Sequence, residues 1–227
     1  MSKKRKAVLD DGCCPELVRG ARFDGLFEIP IIEKPNIIII PKGIVPFSER
    51  DKVSWPKDYA VGFYEMDPKF AELLISPSNY FTDISRFVSM ISPDCSLYRD
   101  APFAVQVTNV YRNRAIGVSF QKHGIYVIPQ VRWGNEDTYS TKIFPERIAF
   151  LGVEKHSIVA IGTYGCIQHR EDKYHFKAGL EAMLETLEPE IVLVYGSMPE
   201  SIFGDYLHST NFVQYDDWTR IRHGGDC

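Results

Sequence analysis

Short apolar runs with no polar alternation recur along this chain, and segments of helical character separate them. They read as buried strands at Ile37–Ile40, Tyr59–Glu65, Val88–Ser92, Ile125–Val131, Ser157–Thr163, Glu190–Gly196 and Phe212–Tyr215. A strand that is apolar on both faces needs a covering layer on each side, and helices that carry the chain back along the sheet supply one. Strand then helix, repeated about five times, predicts an α/β domain built on a mostly parallel sheet. Seven candidate strands and the lack of a G-x-G-x-x-G fingerprint favour a distorted or incomplete (β/α) barrel over an open doubly wound sheet.

Local signals mark the helices. Asp67-Pro68 has the form of an N-cap followed by proline in the first turn, and Pro77 ends or interrupts that helix. Asp100 is placed to cap a helix that runs to about His123, where Gly124 supplies a stop. A short helix is expected at Glu146–Leu151. The clearest one spans Lys173–Leu187, with Phe176, Leu180, Met183, Leu184 and Leu187 on one face and Glu188-Pro189 at its end. Ser197 and Glu200 have capping-box spacing. Pro30, Pro35, Pro41 and Pro46 exclude a helix between Phe23 and Phe47. The expected organisation is a lead-in over residues 1–20, one α/β domain over 21–218 and a polar tail over 219–227.

A net charge of −4 argues against a protein that coats nucleic acid through a basic face. The one dense basic run, Lys3-Lys4-Arg5-Lys6, reads as a solvated terminus. No apolar stretch approaches bilayer length, and no apolar run follows the basic start as in a secretory signal, so a cytoplasmic protein without membrane association is expected. Five cysteines at irregular spacing, with no C-x-x-C, fit reduced thiols better than a disulfide framework.

In both candidate architectures ligands bind beyond the carboxyl ends of the strands, so the loops there are where chemistry is sought. Asp94, just after Val88–Ser92, is the candidate general base or nucleophile; the plainer reading is a loop carboxylate that pairs with arginine. Tyr98 and Asp100 follow in the same loop. Arg114 shares a helix face with Phe103, Val107, Val110 and Val118, so a carboxylate such as Asp94 or Asp100 is expected to meet it. Asn109, Arg112 and Arg114 would otherwise face an anionic ligand. Arg132-Trp133 pairs a cation with a stacking surface suited to a nucleobase or sugar, or else is a tryptophan packed under a loop.

Gly162-Thr163-Tyr164-Gly165 permits close backbone approach to a ligand or anion binding through backbone N–H groups, though the lysine of a P-loop is missing, and Tyr195 after the next strand is a further candidate ligand contact. Cys166 and His169 at C-x-x-H spacing fall short of a zinc set, so no metal site is assigned. They remain a candidate nucleophile and base, against a structural thiol. No cofactor is specified.

Several of these segments, taken in order, resemble the bacterial and phage family catalogued as domain-of-unknown-function 4417. They are Ile44-Val45-Pro46-Phe47, Pro93-Asp94-Cys95-Ser96-Leu97-Tyr98, Asn109-Val110-Tyr111-Arg112-Asn113-Arg114, Gly124 through Trp133, Gly162-Thr163-Tyr164-Gly165-Cys166 and Val194-Tyr195-Gly196. The resemblance implies a product of a phage, plasmid or integrated element, and brings no particular activity with it. Cys95 departs from the family pattern, which has an apolar or aromatic residue there, and this argues against a general catalytic role. The leading expectation is an enzyme acting on a nucleotide, nucleic-acid-derived or sugar-like ligand. The alternatives are an accessory protein that binds a nucleic-acid, host or replication partner, and a small-molecule sequestering protein.

Overall fold

Seven strands pair in parallel in the order in which the chain makes them. A computed structural model describes residues 14–218. A small antiparallel hairpin, β1 (Phe23–Asp24) and β2 (Ile29–Pro30), comes first. Then β3 (Gly43–Pro46), β4 (Tyr59–Gly62), β5 (Ser89–Ile91) and β6 (Val127–Ile128) form one parallel run. A second run joins β7 (Ile158–Gly162), β8 (Ile191–Tyr195) and β9 (Asn211–Tyr215). Pro129 breaks the ladder between the two, and a parallel bridge from Gln130 to Ala160 rejoins them.

Between the strands lie α1 (Ala71–Ile75), α2 (Phe81–Ile84), α3 (Phe103–Lys122), α4 (Glu136–Tyr139), α5 (Arg170–Leu187) and α6 (Glu200–Phe203).

This order has a geometric consequence. Right-handed crossovers that never reverse direction place every helix on one face of the sheet. The other face is then covered only if the sheet curls onto itself. It does: Ile44, Ala60, Ile91, Ile128, Ile158, Leu193 and Tyr215, one from each strand, belong to a single buried cluster. Neighbouring strand residues point outward to the helices, Val61, Met90 and Val127 into one cluster and Val159, Ile161, Val192 and Val194 into another. The seam between β9 and β3 is spanned by the Tyr215 hydroxyl, which donates to the Pro41 carbonyl at 2.6 Å. The domain is thus a parallel α/β fold whose strands share one inner core, with its helices on the outside.

Helix α3 is enclosed further. The hairpin strand β2 and the sheet strand β6 both pack against it, and a Cβ at Gly117 would collide with Ile32 and crowd Ser92. Every residue from Asn113 to Phe120 is consequently buried.

Some local expectations are corrected. Ile37–Ile40 is not a buried strand: Ile37, Ile39 and Ile40 are exposed, and the first parallel strand begins at Gly43. Asp67 opens a three-residue 3-10 turn without capping it, and its carboxylate instead accepts the Ser96 hydroxyl. Asp100 does not cap α3, whose N-cap position is Pro102. Residues 148–150 form a 3-10 turn where a short α-helix was expected. Ser197 makes no capping box, since Pro199 is the N-cap of α6. The basic run at residues 3–6, Cys13, Cys227 and the tail from 219 lie outside the described residues. No described helix is long and apolar enough to cross a membrane.

Candidate functional site

Ser92, Pro93 and Asp94 continue β5, and Gln130, Val131, Arg132 and Trp133 continue β6. Both segments emerge at the carboxyl ends of their strands, and the bridge from Gln130 to Ala160 is their last strand pairing among the described residues. Asp94 is almost wholly buried and accepts from Arg132 Nη1 at 2.6 Å and from Gln130 Nε2 at 3.1 Å. Gln130 accepts in turn from the Tyr64 hydroxyl at 2.8 Å. Burial, the largest single influence, pulls the Arg132 guanidinium down, but the charge and hydrogen bond of Asp94 together with Cys166 and Asp67 outweigh it and leave Arg132 above the ordinary arginine range. Burial first, and then the charge of Asp94, push the Tyr64 phenol well up, so it remains a donor.

Tyr64 plugs the carboxyl end of the inner core. Its ring stacks on Tyr195 with centroids 4.6 Å apart, and a Cβ at Gly162 would come within 2.6 Å of it. The glycine expected to admit a ligand therefore admits Tyr64. Tyr195 is buried there, its hydroxyl accepting from the Trp218 backbone N–H at 2.8 Å. Thr163 is buried as well and ties the β7 end to the β8 loop by donating to Ser197 O at 2.8 Å.

Beside this plug lies a cleft of about 620 Å³ between the loops after β5, β6 and β7 and the start of α5. Arg132 and Trp133 line it from β6, Tyr98, Arg99 and Asp100 from the β5 loop, and Cys166, Asp172 and His175 from the α5 side. The Arg132 side chain is 25% exposed and reaches the cleft, while Asp94 holds it from beneath. Arg99 crosses the mouth to Asp172 at 2.7 Å and Glu171 at 3.1 Å. Trp133 is a wall: its N–H donates to His175 O at 3.1 Å, and its ring lies against Phe176 and directly over Gly179 of α5. It presents no open stacking face. Tyr98, 61% exposed, is the aromatic on the rim.

The structure thus brings Tyr98, Asp100, Arg132, Trp133 and Cys166 together around the cleft, with Asp94 below. Other expected residues serve the frame. Asn109 donates to Ser96 O at 2.6 Å and positions the β5 loop. Arg112 is half-buried on α3, away from the cleft lining. Arg114 does not meet Asp94 or Asp100. Its guanidinium is buried and donates to Gln130 O, Ala149 O, Leu151 O and Asn113 Oδ1, all uncharged oxygens. Burial pushes it down to about 10.

His169 is the N-cap of α5, its side chain accepting the Asp172 backbone N–H while Asp172 accepts from His169 N. That ring is not turned to Cys166, whose thiol burial pushes up against the pull of Arg132. No group of three or more His, Cys, Asp or Glu among the described residues is arranged to hold a metal ion.

Sequence reading assigned no site role to Tyr64, Arg99, Asn135, Asp172 or His175, although Arg99 and Asn135 fall in the strand-end loops and His175 follows Cys166 and His169 closely. Gln130 carried a signal, as the one polar side chain in the β6 run.

The family model described as Domain of unknown function (DUF4417) matches residues 21–216. The chain belongs to this family. Among curated proteins, the DUF4417 chain is 32% identical over 139 residues to the Gene 1 protein of Mycobacterium phage D29, covering 61% of this chain and 49% of that protein. It is 31% identical over 139 residues to the Gene 1 protein of Mycobacterium phage L5, covering 61% and 58%. The DUF4417 chain therefore spans only about half the length of these phage relatives. No solved structure matches it.

Proposed function

We propose that this domain is an enzyme acting on a nucleotide-derived or sugar-like small molecule bound in the cleft beside the Tyr64 plug. The observation that carries the reading is the Asp94–Arg132 pair at the floor of a 620 Å³ cleft at the carboxyl ends of the strands. That volume suits a nucleoside- or disaccharide-sized molecule, and strand ends are where (β/α) folds place their chemistry. Asp94 fixes the guanidinium plane, which leaves the remaining Arg132 N–H groups to polarise a ligand oxygen. Cys166 lies beside Arg132 as a neutral thiol, a proton donor rather than a standing nucleophile.

The test is calorimetry and thermal shift on the full chain with nucleosides, nucleotides, sugars and sugar phosphates, followed by product analysis for any binder. The double variant Asp94→Asn/Arg132→Gln removes both charges together, which spares stability compared with breaking one partner. Wild-type binding that the double variant lacks supports the reading. An empty panel, or equal binding by both proteins, removes it.

A second reading, an accessory protein that docks on a partner, is favoured by one observation. Ile37, Ile39, Ile40 and Trp55 are exposed on neighbouring segments that Lys42 and Asp58 tie together. It predicts that replacing these side chains with serine abolishes capture of the partner while leaving the cleft's binding intact.

A further inference from the structure

The cleft's charges are already spoken for, and acceptors outnumber cations. Arg132 is paired with Asp94, and Arg99 with Asp172 and Glu171. Among the lining residues two guanidinium groups face three carboxylates, Asp100, Glu171 and Asp172, and Asp94 lies beneath as a fourth. A phosphate entering here meets a surplus of negative charge. Like charge in a partly dehydrated cleft costs more than in bulk water.

A second, independent observation concerns two amide side chains at the Gly134 end. Gln106 is 1% exposed, and its Nε2 donates to Ala101 O at 3.0 Å, which fixes the amide's orientation. Its Oε1 is buried without a partner, directly behind the lining residue Gly134, where a Cβ would collide with it. Asn135 repeats the pattern. Its Nδ2 donates to Arg99 O at 3.3 Å and Asp137 Oδ2 at 3.1 Å, leaving a buried Oδ1 unpartnered. Both amides are oriented by acceptors, so the free atoms are oxygens and a flip would set N–H groups elsewhere and oxygen against oxygen. A buried acceptor without a donor forfeits its hydration and is costly to leave unpaired. Two at one end of a cleft make a subsite for a donor.

We infer that the cleft takes an uncharged or cationic molecule bearing hydroxyl and amino donors, not a phosphorylated one, with its donors reaching Asn135 Oδ1 and Gln106 Oε1 as the Gly134–Asn135 turn yields. This rests on the reading of the cleft as a small-molecule site and narrows its substrate class. A nucleoside and an aminosugar both carry that chemistry, from a base amine and a ring amine respectively.

Calorimetry on the full chain compares adenosine with its 5′-monophosphate, and glucosamine with its 6-phosphate. One parent is expected to bind at least tenfold more tightly than its phosphate ester, and which parent does so assigns the donor to base or sugar. The variant Gln106→Met is expected to weaken that binding about tenfold or more, while in the unliganded protein removal of an orphaned acceptor offsets the lost bond to Ala101 O and keeps the Tm within a few degrees of wild type. Tighter binding of the phosphorylated member overturns this inference alone and leaves the cleft as a ligand site. Unaltered binding by Gln106→Met, whatever its Tm, assigns Gln106 to the frame and also overturns it. Binding of neither parent nor ester overturns both this inference and the reading beneath it.

Discussion

Arg114 illustrates how a cation can be buried without a counterion. Helical periodicity sets it on an apolar face, and from that alone a carboxylate partner is the natural expectation. The sheet wall solves the problem differently. β6 ends at Pro129, so the carbonyl of Gln130 is free of a regular ladder, and the 3-10 turn at Ile148–Phe150 turns the carbonyls of Ala149 and Leu151 inward. The guanidinium gathers these oxygens and pins the β5 and β6 extensions through Asn113, which also donates to Pro93 O at 2.6 Å. Arg114→Leu should therefore leave several buried acceptors unpaired at about 1–3 kcal/mol each. A total loss of about 3–5 kcal/mol is expected from urea unfolding, with no effect on the cleft's electrostatics in the folded protein. Loss of under about 1 kcal/mol would show that water takes over these carbonyls.

Helix α5 is the element most legible in the sequence and the one that shapes the cleft. Its apolar stripe of Phe176, Leu180, Met183 and Leu187 is buried against the outside of the sheet, as periodicity predicts. Periodicity does not reveal the role of Gly179, which is a notch that receives the Trp133 indole. Alanine at position 179 gains about 1 kcal/mol of helix propensity. It also drives a Cβ into the indole and breaks the Trp133 bond to His175 O. Overpacking of this kind costs typically about 1–3 kcal/mol. Gly179→Ala is expected to lower Tm by several degrees and shift Trp133 fluorescence, whereas an unchanged spectrum would mean the wall is loose. Short elements were harder to read. Asp67 and Ser197 both carry capping side chains by type, yet each capping position went to a different residue, because tertiary partners and prolines determine where a one-turn helix starts.

At the scale of the whole molecule, groups buried far apart share one dependence on pH. Burial, followed by the charges of Asp94 and Asp67, pushes the Cys95 thiol up to about 12 from 9.0, and burial pushes the phenols of Tyr195 and Tyr215 up to about 12 from 10.0. Each folded-state value is raised, so the unfolded chain releases protons first and binds fewer of them through this window. The stability these groups contribute is intact below about pH 9 and is lost as pH rises through 9 to 12. Between pH 8 and 10.5 the three together should remove about 3 kcal/mol. Urea midpoints across that range test it, and Cys95→Ala should flatten the part between pH 9 and 10. A midpoint independent of pH to 10.5 would contradict the burial of all three.

What the sequence determined by itself was the alternation of two-sided apolar strands with covering helices, hence a parallel α/β domain. That information is local, since strand and helix periods are set by backbone geometry and by which side chains must leave water. The tertiary structure decided the rest. Only the curl of the sheet placed Tyr64 over Gly162, gave Asp94 to Arg132 instead of Arg114, and seated Arg99 against Asp172. Partners such as these lie tens of residues apart along the chain, and their meeting depends on strand stagger and loop path, which no local pattern encodes.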